Sequence, residues 1–206
     1  MVYIAKEKAY TVISGDDCHS LKEAHSSPDW PEWEHAIHTE LKQLHRMGTW
    51  ELVAKPVGAV PIANKWVFAK KQNKEGVLTK YKARLIAKGC AQCLGYDYLK
   101  THSPVVCLET IRAILVIAPM QKLLIQQMDI KGAYLNGTLK EHVYMQQPEG
   151  FADGTGHICL LIKTLYGLKQ AGHEWNIKLD TKLRRHRYTC LCSFFFFFFF
   201  KFSLLL

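Results

Sequence analysis

Residues 125 to 137 of this chain read Ile-Gln-Gln-Met-Asp-Ile-Lys-Gly-Ala-Tyr-Leu-Asn-Gly. The segment from Leu123 to Met128 predicts a short strand that ends at Asp129, and the glycines and asparagine after it predict a sharp turn. A carboxylate at a strand end suits a hard divalent cation such as Mg²⁺. Phosphoryl transfer with two metal ions needs several carboxylates, so the partners of Asp129 must be sought elsewhere in the sequence.

The charge of the chain is concentrated in one segment. The 206 residues carry a formal charge of +9, and their 49% hydrophobic content is typical of one globular domain with an appendage. Between Lys65 and Lys88, eight basic residues and one acidic residue, Glu75, give +7. Such a surface suits a polyanion such as nucleic acid, and a solvated lysine-rich face is the alternative.

The seven cysteines are irregularly spaced, and no signal peptide precedes them. This pattern predicts a reducing, intracellular and cytoplasmic setting. Cys90 and Cys93 have the spacing of a zinc or redox pair, but no second pair follows at a finger-like distance, so we interpret them as two packed thiols. The apolar C-terminal run is too short for a convincing membrane span and contains Lys201.

The first half of the chain predicts a helix followed by a hairpin. Asp29 and Glu32 form a capping-box pattern around Pro31, and apolar residues then recur at helical spacing until Gly48. A short strand follows at residues 50–53. Residues 65–70 and 79–88 predict a β-hairpin, because the second run alternates strictly. Its apolar face carries Tyr81, Ala83, Leu85 and Ala87, and its other face carries Lys80, Lys82, Arg84, Ile86 and Lys88.

The second half predicts a helix at 108–118, strands at 123–128, 142–145 and 157–162, and a helix at 170–185. This order predicts an α+β fold in which helices pack on an antiparallel sheet. Residues 1–26 lack periodicity and predict an irregular lead-in, and 27–190 form the domain. Residues 191–206 form a Phe/Leu tail with seven consecutive phenylalanines, a run that cannot specify a packing register, so we predict that it is foreign to the domain.

Several blocks of sequence together resemble the reverse transcriptase domain of copia-type (Pseudoviridae) long-terminal-repeat retrotransposon Pol polyproteins. The resemblance covers about residues 20 to 185, with the blocks in the family's order and spacing. The blocks are Trp33-Glu34-His35-Ala36, Thr49-Trp50-Glu51-Leu52-Val53, Lys65-Trp66-Val67-Phe68, Tyr81 to Gly89, Gly95-Tyr96-Asp97-Tyr98, Ser103-Pro104-Val105, Gln127 to Lys131, Val143 to Phe151, and Leu165-Tyr166-Gly167-Leu168-Lys169-Gln170-Ala171.

The resemblance implies part of a right-hand polymerase, with fingers and the first half of the palm. It further implies an RNA or DNA template-primer, deoxynucleoside triphosphates and Mg²⁺. Asp129 is then a catalytic metal ligand, and Tyr134 lies beneath the sugar of the incoming nucleotide. Lys82 and Arg84 are candidates for gripping the triphosphate, and the sequence does not decide between them. Gln170 is a weaker nucleotide-binding candidate, and Lys65, Lys80, Lys88 and Lys169 are nucleic-acid-binding candidates.

One element of the resembled family is missing from these residues. The hairpin with an aromatic-X-Asp-Asp sequence does not follow the Leu-Tyr-Gly-Leu-Lys-Gln block. The pair Asp16-Asp17 precedes Asp129 by more than a hundred residues and lacks strand-forming flanks. We therefore expect a C-terminally truncated reverse transcriptase that is inactive alone. The alternatives are an active enzyme completed by a second chain, a residual basic nucleic-acid-binding module, and an inert pseudogene product.

Overall fold

The computed structural model describes residues 18–104, 107–123, 125, 129–190 and 199–201. It combines helices with antiparallel strands, which confirms the α+β class. The helices are α1 (Leu21–Ser26), α2 (Trp30–Arg46), α3 (Leu108–Met120) and α4 (Ala171–Arg185). The strands are β1 (Trp50–Val53), β2 (Asn64–Gln72), β3 (Leu78–Ala87), β4 (Thr138–Met145), β5 (Ile158–Lys163), β6 (Tyr188–Cys190) and β7 (Phe199–Lys201).

The hairpin of β2 and β3 has one apolar and one cationic face, as predicted. Phe68 pairs with Ala83 and Trp66 with Leu85 on the buried face. The pairs one residue further along bring Val67 opposite Arg84, Ala69 opposite Lys82, and Lys71 opposite Lys80. Because side chains alternate along a strand, the cations project away from the core.

Helix α2 packs on this hairpin through the predicted apolar stripe. Trp33, Ile37 and Leu44 are fully buried, and the Trp33 ring meets Phe68 and Tyr81 edge-on at centroid distances of 5.1 and 4.6 Å. The predicted capping box is wrong, because Asp29 makes no side-chain cap and its carboxylate lies 2.8 Å from Lys70 Nζ instead. An ammonium partner on β2 therefore outcompetes the backbone amides of α2 for this carboxylate.

The end of the predicted irregular lead-in is also helical. Helix α1 begins after Ser20, whose hydroxyl accepts a hydrogen bond from the Glu23 amide. Ala24 is fully buried against the core. One turn this short is stabilised by its cap and its tertiary contact, which a search for periodicity does not detect.

The second sheet has the strand order β1-β5-β4 and is antiparallel throughout. Backbone hydrogen bonds between Ile62 and the β4 end at Tyr144 and Gln146 tie this sheet to the hairpin. The Asn64 side chain adds bonds to the backbone of Gln146, Gln147 and Glu149. The two sheets therefore share one core, with the Gln-Pro-Glu-Gly segment after β4 fixed between them.

The segment that leads to Asp129 differs from its prediction. Helix α3 forms, but of its residues only Ala118 is buried, while Leu115 is 48% exposed. Its apolar periodicity therefore does not correspond to a core face in the described structure. Leu123 and Ile125 are not in a strand. The remainder of the predicted strand, at 124 and 126–128, lies outside the described residues.

Near the C-terminus, α4 begins at Ala171 and is followed by β6, which pairs with β7. The backbone of part of the predicted foreign tail is therefore paired with residues 188–190, and the rest of that tail lies outside the described residues. Across the described residues, the helices are too short or too polar to cross a membrane.

Candidate functional site

A cavity of about 910 Å³ lies between the hairpin, α2 and the turn after Asp129. Strand β3 contributes its cationic side chains, and α2 contributes Glu40 and Gln43. Asp129 and the three residues after it line a third side, together with Tyr166. Residues that are far apart in the sequence thus line one cavity. The predicted Lys82, Arg84 and Asp129 are among them.

Lys82 and Arg84 form the positive wall of this cavity, and both are half-buried. Burial is the main cause that lowers the pKa of Lys82, and the positive charges of Arg84, Lys71 and Lys80 act in the same direction, while Glu40 opposes them. The Arg84 guanidinium lies over the Tyr166 ring, 5.3 Å from its centroid. A cation stacked on an aromatic face loses little freedom when it binds an anion.

Asp129 is exposed and lines the same cavity. The turn after it depends on Gly132, whose φ is 62°. A Cβ at this position would lie 2.6 Å from Gln43 Nε2 of α2. Glycine therefore permits both the left-handed backbone and the close approach of the turn to α2.

Tyr134 lies in a single 3₁₀ turn, Ala133–Asn136, just beyond this glycine. Its ring meets Tyr166 edge-on with centroids 5.4 Å apart, and its carbonyl accepts a hydrogen bond from the Thr164 hydroxyl. Tyr134 does not itself line the cavity, but it packs against Tyr166, which does. The two rings therefore place the predicted sugar-contacting residue beside the cation-bearing wall.

The carboxylates around the cavity do not assemble a two-metal centre. No three His, Cys, Asp or Glu side chains come together as a metal site within the residues that the structure describes. Asp129 supplies one exposed oxygen ligand, whereas two divalent ions need several. The described residues therefore do not fit a complete catalytic metal site.

The Leu165-Tyr166-Gly167-Leu168 loop closes against the end of β3. The Ala87 amide donates a hydrogen bond of 2.8 Å to the Tyr166 carbonyl. Gly167 has a φ of +90°, and a Cβ there would collide with the Ala87 carbonyl oxygen. This contact explains why glycine follows Tyr166, and it holds the Tyr166 ring beneath Arg84.

Gln170 and Lys169, two predicted ligand contacts, are engaged in internal hydrogen bonds. Gln170 is 1% exposed; its amide oxygen accepts from Gln92 Nε2, and its own Nε2 donates to the Asp97 carbonyl. Lys169 Nζ donates to the Gln92 carbonyl and to Tyr98 Oη. In this arrangement both side chains join the loop at 89–98 to the start of α4, and their contacts with ligands stay predictions.

The same loop corrects the interpretation of Cys90 and Cys93 as packed thiols. Both are free and exposed. Gly89 and Gln92 are the buried residues of this turn, because Gly89 lies against Gly167 and Gln92 against Gln170. The two thiols consequently face outward.

The other lysines of the hairpin, among them the predicted Lys65, Lys80 and Lys88, differ in their surroundings. Lys65 and Lys88 are exposed near one end of the hairpin, and Lys80 is exposed beside the cavity. Lys70 instead pairs with Asp29 and lies 5.6 Å from the centroid of the Tyr81 ring. The positive charge that the hairpin can offer to a polyanion is therefore smaller than the formal charge of +7 between Lys65 and Lys88.

Glu40 and Tyr166 line the cavity, and neither was among the sequence candidates. Glu40 falls in the same helical row as Ile37 and Leu44, and a carboxylate in an apolar row is a detectable signal. Tyr166 lies in a block used only for the family resemblance. Its approach to Arg84 depends on tertiary contacts between β3 and a loop about eighty residues later.

Comparison with known proteins gives consistent results for this chain. The model of a family described as "Reverse transcriptase (RNA-dependent DNA polymerase)" matches residues 47–196. The retrovirus-related Pol polyprotein from transposon TNT 1-94 of Nicotiana tabacum is 41% identical over 197 residues, which are 94% of this chain and 15% of that protein. The polyprotein from transposon RE2 of Arabidopsis thaliana is 43% identical over 154 residues, 73% of this chain and 11% of the relative.

A more distant relative is the truncated transposon Ty1-A Gag-Pol polyprotein of Saccharomyces cerevisiae, 32% identical over 147 residues, 68% of this chain and 12% of that protein. No solved structure matches the chain. The chain thus spans about one seventh or less of the length of these polyproteins. On the family match and these identities, the chain belongs to the reverse transcriptase family found in the Pol polyproteins of copia-type retrotransposons.

Proposed function

We propose that residues 27–190 supply the fingers and the first half of the palm of an RNA-directed DNA polymerase, with residues 191–206 outside this domain. In this proposal the cavity receives the triphosphate of a deoxynucleotide. The observation that carries it is the meeting of Lys82, Arg84 and Asp129 around one cavity from separate parts of the chain.

The chemistry of the cationic wall suits a triphosphate. Lys82 and Arg84 are two residues apart on β3, so both project from the same face. A guanidinium binds two phosphate oxygens through parallel hydrogen bonds, and an ammonium binds as a point charge. Their partial burial strengthens the attraction relative to a fully solvated pair. Tyr134 packs against Tyr166 outside the cavity lining, so selection against a 2′-hydroxyl by its bulk would rest on the family resemblance alone.

Asp129 would contribute one ligand to a divalent ion, Mg²⁺ in the resembled family. When bound, such an ion would neutralise charge on the phosphates. The 206 residues contain one adjacent aspartate pair, Asp16-Asp17, far from Asp129 in the sequence. We infer that a polypeptide of this sequence binds nucleotides and does not polymerise them.

Binding of sodium tripolyphosphate, measured by calorimetry in the absence of divalent ions, tests the cationic wall. Lys82→Gln and Arg84→Gln should each weaken binding by about tenfold. Lys74→Gln is the matched control, because Lys74 is exposed in the hairpin turn and does not line the cavity. Equal affinity in all three variants would reject the site.

Primer extension on a homopolymer template with Mg²⁺ or Mn²⁺ tests the second half of the proposal. We expect no incorporation of deoxynucleotides by the 206-residue chain. Incorporation that Asp129→Asn abolishes would show that the chain assembles a catalytic site, and would overturn the inference of inactivity.

A second function, sequence-indifferent binding of nucleic acid, is favoured by the exposed Lys65, Lys80 and Lys88. Changing all three to glutamine should reduce the slope of log affinity against log salt by about 2 for single-stranded DNA. The control changes three exposed lysines outside the hairpin, Lys42, Lys140 and Lys178. A slope that falls equally in both variants would mean that the hairpin has no special role.

A further inference from the structure

Glu40 is a carboxylate where helix α2 otherwise buries apolar side chains. It lies three residues after Ile37 and four before Leu44, and all three project from the same helical face. Only 9% of Glu40 is exposed, and its Oε1 has no hydrogen-bond partner among the described residues. Burying an incompletely paired carboxylate costs stability, so this position is not explained by packing.

The surroundings of Glu40 are cationic. It lines the cavity together with Lys82 and Arg84, whose charges both favour its ionised form, as does the Leu85 backbone amide. Within the described part of the chain, neither cation is close enough to Glu40 for a direct ion pair. The carboxylate therefore acts on them through space.

Lys82 and Arg84 repel each other and are further repelled by their neighbours on the hairpin. Arg84, Lys71 and Lys80 each disfavour the charged form of Lys82, and Glu40 is the acidic residue that opposes them. Without it, flexible cationic side chains would lower their energy by turning toward solvent and away from one another.

We propose that Glu40 is a positioning residue for the nucleotide-binding cations: its buried charge on α2 keeps Lys82 and Arg84 directed into the cavity against their mutual repulsion. This inference rests on the proposed triphosphate site. It assigns no contact between Glu40 and the nucleotide. It predicts that loss of the Glu40 charge weakens anion binding, which is the opposite of what simple electrostatics predicts. Removing a negative charge beside an anion site would ordinarily strengthen anion binding.

The test is tripolyphosphate binding by the 206-residue chain with Glu40→Gln, which removes the charge and preserves the shape. We expect affinity to fall by about fivefold. Glu34→Gln is the matched control, because Glu34 is exposed on the same helix and does not line the cavity. It should bind as the unmodified chain does. Unchanged or tighter binding by Glu40→Gln overturns the proposal.

A thermal melt separates positioning from a structural role. Burial is the main cause that raises the pKa of the Glu40 carboxyl. For an acid with a raised pKa in the folded state, stability is lost as pH rises through that pKa. Glu40→Gln should therefore melt at the same or a higher temperature at neutral pH, while it binds tripolyphosphate more weakly. Weaker binding together with a lower melting temperature would indicate a structural role and overturn the proposal.

The pH profile supplies a further readout. As pH falls and Glu40 becomes protonated, the affinity ratio of the unmodified chain to Glu40→Gln should approach one. The ratio cancels the titration of tripolyphosphate and of the other charged and titratable groups around the cavity, which are Glu32, His35, Arg46, Lys80, Tyr81, Lys82, Arg84, Asp129, Lys131 and Tyr166. A ratio that is constant with pH contradicts a role for the Glu40 charge.

Glu40→Asp keeps the charge and shortens its reach. It should restore most of the affinity and bind about twofold more weakly than the unmodified chain; affinity as low as that of Glu40→Gln would reject the charge as the cause. If Glu40→Gln does not fold, Glu40→Asp alone should bind about twofold more weakly with an unchanged melt, and equal or tighter binding would refute the proposal.

If Lys82→Gln and Arg84→Gln leave binding unchanged, the triphosphate site itself fails. If they weaken binding and Glu40→Gln does not, only the positioning role fails.

Discussion

The cationic hairpin and the segment from α3 to Asp129 are supported very differently by the rest of the molecule. Trp66, Phe68 and Leu85 of the hairpin are almost fully buried, and α2 packs directly on them. In α3 only Ala118 is buried, although this helix is more apolar than α2 and α4. One wall of the cavity is therefore fixed by a core, while Asp129 follows an element with little packing.

This difference separates two requirements of the proposed site. Gripping a phosphate requires cations on a rigid element, and β3 provides that. Holding a metal ion requires several oxygen ligands in a fixed geometry, and the described carboxylates do not provide it. The two halves of the site should therefore respond differently to mutation.

The largest contrast is expected between core leucines and α3 leucines. Leu85→Ala removes a fully buried side chain and should destabilise the fold by about 3 to 4 kcal/mol through a cavity beneath α2. Leu115→Ala should change stability by no more than about 0.5 kcal/mol, because this side chain is half exposed. Urea unfolding measures both. A comparable loss for Leu115→Ala would show that α3 packs against the core in solution.

The next effect concerns the loop that holds Tyr166 beneath Arg84. Gly167→Ala should cost about 3 kcal/mol, because a Cβ would strike the Ala87 carbonyl in a left-handed backbone. Gly95→Ala is the control, with a similar φ of +86° and open space around it, and should cost about 1 kcal/mol. The difference between the two variants in thermal unfolding measures the cost of the contact between the added Cβ and the Ala87 carbonyl. Equal losses would mean that backbone strain alone explains both.

A smaller effect is expected from the buried amide network. Gln170→Ala leaves Gln92 Nε2 and the Asp97 carbonyl without their partner and should destabilise the chain by about 2 kcal/mol. Gln121→Ala, at the exposed end of α3, should be neutral within about 0.5 kcal/mol. If Gln170→Ala were neutral in urea unfolding yet weakened tripolyphosphate binding, Gln170 would be a ligand contact rather than a structural one.

The smallest effect concerns the surface ion pair between α2 and the hairpin. The hydrogen bond from Lys70 is the main cause that lowers the pKa of Asp29. A lowered pKa gives stability that is present above the unfolded value and lost as pH falls through the folded value. Asp29→Asn should therefore lower the melting temperature slightly at pH 7 and not at strongly acidic pH. Since both side chains remain partly accessible to solvent, salt screens the pair, and 1 M salt should remove the difference. A deficit that persists in 1 M salt would assign Asp29 another role.

Local pattern was sufficient for most elements but not for all contacts. Strict alternation predicted β3, and the stripe of Trp33, Ile37 and Leu44 predicted α2, because a strand or helix that buries one face must repeat its apolar residues at a fixed interval. The prediction that Asp29 caps α2 was wrong, because the carboxylate pairs with Lys70 on β2 instead. The helix α3 was predicted, but its exposure was not, because periodicity shows which face could be buried and not whether another element covers it.

The candidate site was predictable in part for the same reason. Asp129, Lys82 and Arg84 were found from motif blocks, and the structure places them around one cavity. Tyr166 and Glu40 required coordinates, because their roles arise from distances between elements. The internal hydrogen bonds of Gln170 and Lys169 likewise depend on a loop more than seventy residues earlier.

The amino-acid sequence by itself determined the family, the α+β class and the cationic character of β3, since these follow from the order of residue types along the chain. Tertiary structure decided that Arg84 stacks on Tyr166, that Glu40 lies buried facing two cations, and that Asp129 stands without enough described carboxylates for a metal centre. Such features depend on distances and on local burial. Both are set when remote segments pack together, and neither is encoded by any single segment.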